Sequence, residues 1–303
     1  MFAALDGAGR SAADLIPLLI AMSIGSAVIW LVVTGLSLYA LRTGRPLWSE
    51  RAGFWLITFG GVVVPTLVLA ALLAFGMPSL ARQLDISRPA DLRLSVVGEQ
   101  WWWRVRYELP GGGHVDLANE IRLPRGRMAA VTLTSDNVIH SFWIPSLAGK
   151  VDMIPGRLTS LMLEPTVSGS YRGVCAEYCG ASHARMAFAV EVMEPADFDR
   201  WLEHESRPAA AIASEGATAF LRNGCGSCHA IRGTPAIASV GPDLTHVGSR
   251  RSVAAATLPN EIDQIARWIA DPDHVKPGAL MPPFRMLPVN ERRAIAAYLR
   301  SLQ

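Results

Sequence analysis

Two apolar runs near the start of the chain set the first limit on what it can become. From Leu15 to Leu41, and again from Phe54 to Phe75, the sequence is almost unbroken in apolar residues. About 20 such residues suffice to cross a bilayer core as a helix. The pattern therefore predicts a transmembrane hairpin over residues 1–80, with spans of about 15–41 and 54–76. A cleaved leader fits poorly, because its apolar stretch would be shorter, basic residues would precede it, and no second span would follow directly. Pro65, after Gly60 and Gly61, is expected to bend the second helix, a defect that neighbouring helices tolerate. The spans hold no charged residue, which argues for anchoring and against a proton path within them.

Flanking charges orient this hairpin. The connecting turn carries Arg42, Arg45 and Arg51 against Glu50, whereas the first residues carry Arg10 against Asp6 and Asp14. By the positive-inside rule the turn is cytoplasmic, and both termini lie outside with everything after Phe75. In a bacterial-type inner membrane that is the periplasmic side.

Past the hairpin the periodicity changes. Leu92–Leu109 alternates like strands, and similar runs follow at Ala129–Thr134, Leu158–Leu163 and Met186–Val192, separated by Gly and Pro turns. This predicts an all-β sandwich or barrel over residues 92–196. A short helix near Ala196–His204 and an alanine-rich linker at Pro208–Ser214 fill residues 197–214, and residues 215–303 read as helices and loops with no convincing strand. The last helix is expected to start at Asn290 as an N-cap and to set Ile295, Leu299 and Leu302 on one face. A net charge of +2 supplies no basic field for nucleic acid. Residues 93–211 hold twelve basic and fourteen acidic side chains, and residues 212–303 ten and seven, so the two outer domains are mildly complementary.

The four cysteines fall in two close pairs, each followed by a histidine. In the first, Cys175, Cys179, His183 and Met186 crowd into twelve positions. Soft thiolate and thioether donors with imidazole select copper or zinc. A mononuclear blue-copper site needs one thiolate fewer; two bridging thiolates suit two coppers, each with its own imidazole. His183 supplies one, and His140, in Asn137-Val-Ile-His140-Ser-Phe-Trp-Ile-Pro145, is the best candidate for the other. A Cys175–Cys179 disulfide and a zinc site are the competing readings, though neither explains Met186.

In the second pair, Cys225-Gly-Ser-Cys228-His229 is the attachment pattern of a c-type haem, whose axial ligand is the adjacent histidine. Met281, in Pro277-Gly-Ala-Leu-Met281-Pro-Pro, is the expected sixth ligand and Met286 its rival; His246 and His274 are lesser candidates. Phe220 and Tyr298 are expected to pack together across the first and last helices of this domain.

The order Cys-x-Glu-x-Cys-x-x-x-His-x-x-Met, with Val-Ile-His-Ser-Phe upstream and the hairpin ahead of it, resembles subunit II of cytochrome c oxidase over about Asp14–Glu203. The final segment resembles class I cytochrome c. The resemblance implies a multidomain chain: an N-terminal transmembrane α-helical hairpin, an all-β cupredoxin-like barrel and an all-α cytochrome c domain. It implies a dinuclear copper centre (CuA) on His140, Cys175, Cys179, His183, Met186 and the Glu177 carbonyl, and a magnesium reached by the Glu177 side chain at subunit I. It puts Trp101, in Gln100-Trp-Trp-Trp103, at the electron-input position, against the plainer reading of an interfacial or core aromatic. It makes Gly149–Arg157 the loop facing subunit I. Implied partners are subunits I and III, a cytochrome c-type donor and the bilayer; the implied activity is electron input to a terminal oxidase. A copper and haem c input subunit of a nitric oxide reductase is the alternative. One departure stands out: where the family often has an acidic residue three positions before the copper histidine, this chain has Asn137.

Overall fold

The computed structural model describes residues 6–43, 49–85, 87–210 and 213–303. The turn carrying Arg45 and the linker residues Ala211 and Ile212 lie outside these described residues. Ala13–Leu84 forms one compact unit, and the described residues on either side of it form another.

The first unit is helical. Helix α1 spans Arg10–Thr43; α2 (Glu50–Thr58) and α3 (Val64–Leu84) join through a π-helical turn at Phe59–Val63. Both helical stretches, of 34 and 35 residues, are long and apolar enough to cross a membrane, and they extend beyond the expected spans at each end. The irregularity expected at Pro65 is the π turn. A proline N cannot bond back to the Gly61 carbonyl, and the wider turn shifts the hydrogen-bond pattern just ahead of it. Hydroxyls within these apolar helices turn inward: Ser37, Thr58 and Thr66 each donate to the carbonyl four residues back, at 2.7–2.9 Å.

The second unit begins with two five-stranded sheets. Strands β1 (Leu92–Glu99), β2 (Trp102–Glu108), β3 (His114–Ala118), β5 (Ala129–Ser135) and β8 (Thr159–Leu163) make one, in the order β3-β2-β1-β5-β8. The other is β4-β10-β9-β6-β7, from β4 (Glu120–Pro124), β6 (His140–Trp143), β7 (Val151–Met153), β9 (Gly169–Cys175) and β10 (Ala187–Met193). The chain passes between sheets at Asn119, whose φ of 60° suits the left-handed region that Asn tolerates and whose Oδ1 accepts from Trp103 N at 2.9 Å. Between the sheets, Phe142 stacks on Phe188 at 5.0 Å, and Trp103 meets both edge-on at 5.8 and 5.2 Å. Such pairs contribute about 0.5–1.5 kcal/mol each beyond their burial. They also fix the strand ends that carry the thiols and imidazoles.

Helix α4 (Pro195–Ser206) follows, and then the helices α5 (Glu215–Arg222), α6 (Ile262–Ala270), α7 (Pro272–Val275) and α8 (Val289–Ser301). Phe220 and Tyr298 meet edge-to-face at 6.0 Å, as expected. Ile295, Leu299 and Leu302 are all buried, also as expected. Two details differ from expectation. The last helix starts at Val289 with Pro288 as its cap, because proline's fixed φ initiates the turn before Asn290 can cap it. A two-residue ladder, Ser252–Val253 with Leu258–Pro259, is present where no strand was expected; it is too short to leave a periodicity.

Candidate copper and haem centres

The first cluster is assembled from three strand ends. Cys175 closes β9, Met186 stands just before β10, and His140 opens β6, where Phe142 pairs in register with Cys175. The intervening loop returns Cys179 and His183 to the same point. Cys175 Sγ lies 3.8 Å from Cys179 Sγ and 3.7 Å from His140 Nδ1; Cys179 Sγ lies 3.5 Å from His183 Nδ1 and 3.8 Å from Met186 Sδ. The Glu177 carbonyl is 3.2 Å from Cys175 Sγ. Both cysteines are free and nearly twice as far apart as a disulfide's sulfurs, about 2.05 Å. The loop is pinned by its backbone: Trp101 Nε1 and Gln100 Nε2 both donate to the Cys179 carbonyl, at 2.9 and 2.8 Å.

His140 is oriented by a residue whose side-chain role the sequence left open. Its Nε2–H donates to Asn137 Oδ1 at 3.3 Å, leaving Nδ1 to face the sulfurs. Fixing the outer ring nitrogen in this way selects the tautomer of a ligand histidine. Behind the ring, a Cβ at Gly98 would stand only 2.8 Å from His140 Cδ2, so that strand position is held open for the imidazole.

The pair of thiols has its own electrostatics. Cys175 is held low, to about 3, first by the Cys179 thiol beside it and further by His140 and backbone donors, against burial. Cys179 is pushed up by Cys175, since the two sulfurs share one proton. Like charges at this separation do not both form without a cation between them. Two soft, buried sulfurs flanked by imidazoles on either side and a buried thioether therefore fit a cationic metal pair.

In the second cluster, Gly224, with φ of 76°, turns the chain into a short 3₁₀ helix at Cys225–Ser227, and His229 N returns to the Cys225 carbonyl at 3.1 Å. His229 Nδ1 donates to the Pro242 carbonyl at 2.8 Å, which leaves Nε2 as the free ring nitrogen. Burial holds this imidazole below the usual histidine value, keeping it neutral as a ligand must be. Cys225 and Cys228 are free and partly buried, as covalent attachment to a ring requires. Of the two methionines, Met281 packs against the domain's core, whereas Met286 is 75% exposed. His274 is exposed. His246 is buried against the linker, its Nε2 3.0 Å from the Arg207 carbonyl.

Residues 110–193 match the family described as cytochrome c oxidase subunit II, periplasmic domain, and residues 213–303 match the family described as cytochrome c. Among curated proteins, cytochrome c oxidase subunit 2 of Alkalihalophilus pseudofirmus is 36% identical over 214 residues, covering 69% of this chain and 61% of the relative. The chain belongs to the cytochrome c oxidase subunit II family, with a cytochrome c domain appended. Subunit 2 of Bacillus subtilis is 30% identical over 226 residues, 70% of this chain and 62% of its own length. The chain thus spans about six-tenths of the curated relatives it matches. The periplasmic domain of subunit II of cytochrome oxidase from Bradyrhizobium japonicum is 33% identical, covering 39% of this chain and 95% of that one, with a TM-score of 0.36.

In this subunit II chain the cytochrome c domain lies directly on the sheets of the copper domain. Arg251 pairs with Glu191 at 2.8 Å, and its backbone N–H donates to Glu120 Oε2 at 3.1 Å. Ser182 Oγ donates to the Pro277 carbonyl at 2.8 Å, and Arg185 to the Val275 carbonyl. Trp101 is 9% exposed, covered by this contact. Complementary charge was legible in the sequence; the residues of the junction were not, because none belongs to either motif.

Proposed function

We propose that this chain is the electron-input subunit of a haem-copper terminal oxidase. With copper and haem bound, it passes single electrons from a cytochrome c-type donor through haem c and the dinuclear copper to subunit I, where O2 is reduced to water. The observation that carries the reading is the meeting of two thiols, two imidazoles and a thioether within 3.5–3.8 Å contacts at one buried point. His140, Cys175, Cys179, His183, Met186 and the Glu177 carbonyl are the proposed copper ligands. Cys225 and Cys228 would hold the haem covalently, and His229 and Met281 would supply its nitrogen and thioether ligands.

The chain's own residues suit electron relay better than bond-making. A barrel that fixes each ligand from a strand end lets the centre change charge with little rearrangement. Met/His ligation fills both axial positions of a haem and raises its potential. Magnesium at the Glu177 side chain, which stands 4.0 Å from Lys150, belongs to the proposal on the family resemblance alone, as does contact with subunit III.

The proposed orientation puts both termini on the outer side, with the membrane turn cytoplasmic. It is supported by the stitching of the start of α1 and the residues just before it into the copper domain. Gly9 N donates to the Ser146 carbonyl at 3.0 Å, Thr166 N to the Ala8 carbonyl at 2.7 Å, and Arg10 pairs with Glu164 at 2.8 Å.

Haem extraction from the purified complex tests the oxidase assignment. An a-type haem beside haem c, with oxygen uptake on reduced cytochrome c, is expected. Only b- and c-type haems with nitric oxide consumption would replace it with the nitric oxide reductase reading.

A further inference from the structure

The junction between the two outer domains contains a buried lysine that belongs to neither motif. Lys276, between α7 and Met281, is 3% exposed, and its Nζ donates to the backbone carbonyl of Trp101 in the copper domain. A buried ammonium or amine is costly unless it is partnered. We propose that Lys276 is a positioning residue that clamps the Met281 loop of the haem domain onto Trp101. The clamp makes that indole the internal contact between the domains and closes it to free donors. The inference rests on the electron-input reading above.

The geometry on both sides of the indole points the same way. Trp101 lies between two glycines in the left-handed region, Gly180 (φ 114°) from the copper loop and Gly278 (φ 83°) from the haem domain. A Cβ at Gly278 would stand 2.6 Å from Trp101 Cη2, and one at Gly180 would stand 3.0 Å from Cζ2, so no other residue allows both approaches. The indole Nε1 donates to the Cys179 carbonyl at 2.9 Å, which ties the ring to the proposed copper ligand. On the other side only two residues separate Gly278 from Met281, the proposed haem ligand.

The loop arrives already shaped. Lys276 N donates to the Pro272 carbonyl at 2.8 Å, Ala279 N to the Lys276 carbonyl at 3.0 Å, and Gly278 N to Asp273 Oδ1 at 2.7 Å. Ser182 and Arg185, flanking His183 in the copper domain, grip the carbonyls of Pro277 and Val275 on either side of Lys276. Burial draws the lysine down to about 7, and its N–H donates to the Trp101 carbonyl in either protonation state. A free protein donor meets the Met281 loop before it reaches the indole.

The test uses the intact oxidase with Lys276→Met, which keeps the length and apolar stem but removes the donor, and Gly278→Ala, which pushes a methyl into the indole. The readouts are one-electron transfer from reduced haem c to oxidised copper after rapid photoreduction, and amide exchange in the segments around Trp101 and Ser182. Both variants should keep the copper and haem spectra, slow the transfer by about tenfold, and speed exchange at both segments. Copper reduction by added cytochrome c with haem c oxidised should become detectable only in the variants. Unchanged transfer and exchange in Lys276→Met, with spectra intact, overturns the proposal whatever Gly278→Ala does. Loss of copper or haem from the unsubstituted complex would instead refute the electron-input reading on which it rests.

Discussion

At the scale of single residues, the site depends on groups that are not themselves ligands. Asn137 holds the outer nitrogen of His140, and removing such a partner commonly costs about 10–100-fold in metal affinity. Asn137→Ala should weaken copper retention by that order in chelator competition while leaving the haem spectrum unchanged; retention equal to the parent would show that His140 needs no such support. Asn137→Asp keeps an acceptor and should restore most of the affinity. The donor cluster Cys175, Cys179, His183 and Met186 was legible in the sequence because soft donors crowded into twelve positions leave few other chemistries. Asn137 could be seen there only as a departure from the family pattern. Gly98 lies in β1 of one sheet and His140 in β6 of the other, and a contact between sheets is one that no local pattern encodes.

Among elements, close helix packing decides the stability of the haem domain. Gly216 in α5 meets α8 so closely that a Cβ would stand 2.1 Å from the Ala294 carbonyl oxygen. Gly216→Ala must therefore part the two helices and loosen the Phe220–Tyr298 contact. A loss of about 1–3 kcal/mol is expected for such overpacking, read as a lower denaturant midpoint of haem-domain unfolding; an unchanged midpoint would mean that the crossing relaxes freely. The sequence displayed the helices and the long alternating strands well, since periodicity is strong wherever one face is buried. It hid β3, β4, β7 and β9. The first three are short, and the set carries charges such as Asp116, Glu120 and Arg122 or, in the seven-residue β9, glycines such as Gly169 and Gly173, which blur alternation. Asp116 is stabilised across the ladder by Arg106, its register partner, at 2.7 Å, a context invisible to a local reading.

At the scale of the whole molecule, the outer domains are held together by a junction that the linker composition does not reveal. Glu205, at the end of α4, is buried, and burial raises its carboxyl while His246, Arg250, Arg122 and Arg232 draw it down. Three of those four cationic or titratable groups come from the haem domain and one from β4. Replacing the carboxylate leaves buried positive charge uncompensated, typically a loss of about 3–5 kcal/mol. Glu205→Gln should therefore loosen the domains, seen as faster proteolysis of the linker and earlier melting of the haem domain; an unaltered proteolysis rate would remove Glu205 from the junction.

In the proposed centre Cys175 and Cys179 clasp two coppers that share one electron, beside a covalently held haem. Metal counting with electron paramagnetic resonance on the purified chain tests it most directly. Two coppers per chain, a signal from one electron spread equally over both, and its loss without loss of haem in Cys175→Ala are the predicted result. Sulfurs of Cys175 and Cys179 bonded to each other, with no copper taken up under native conditions, would contradict it.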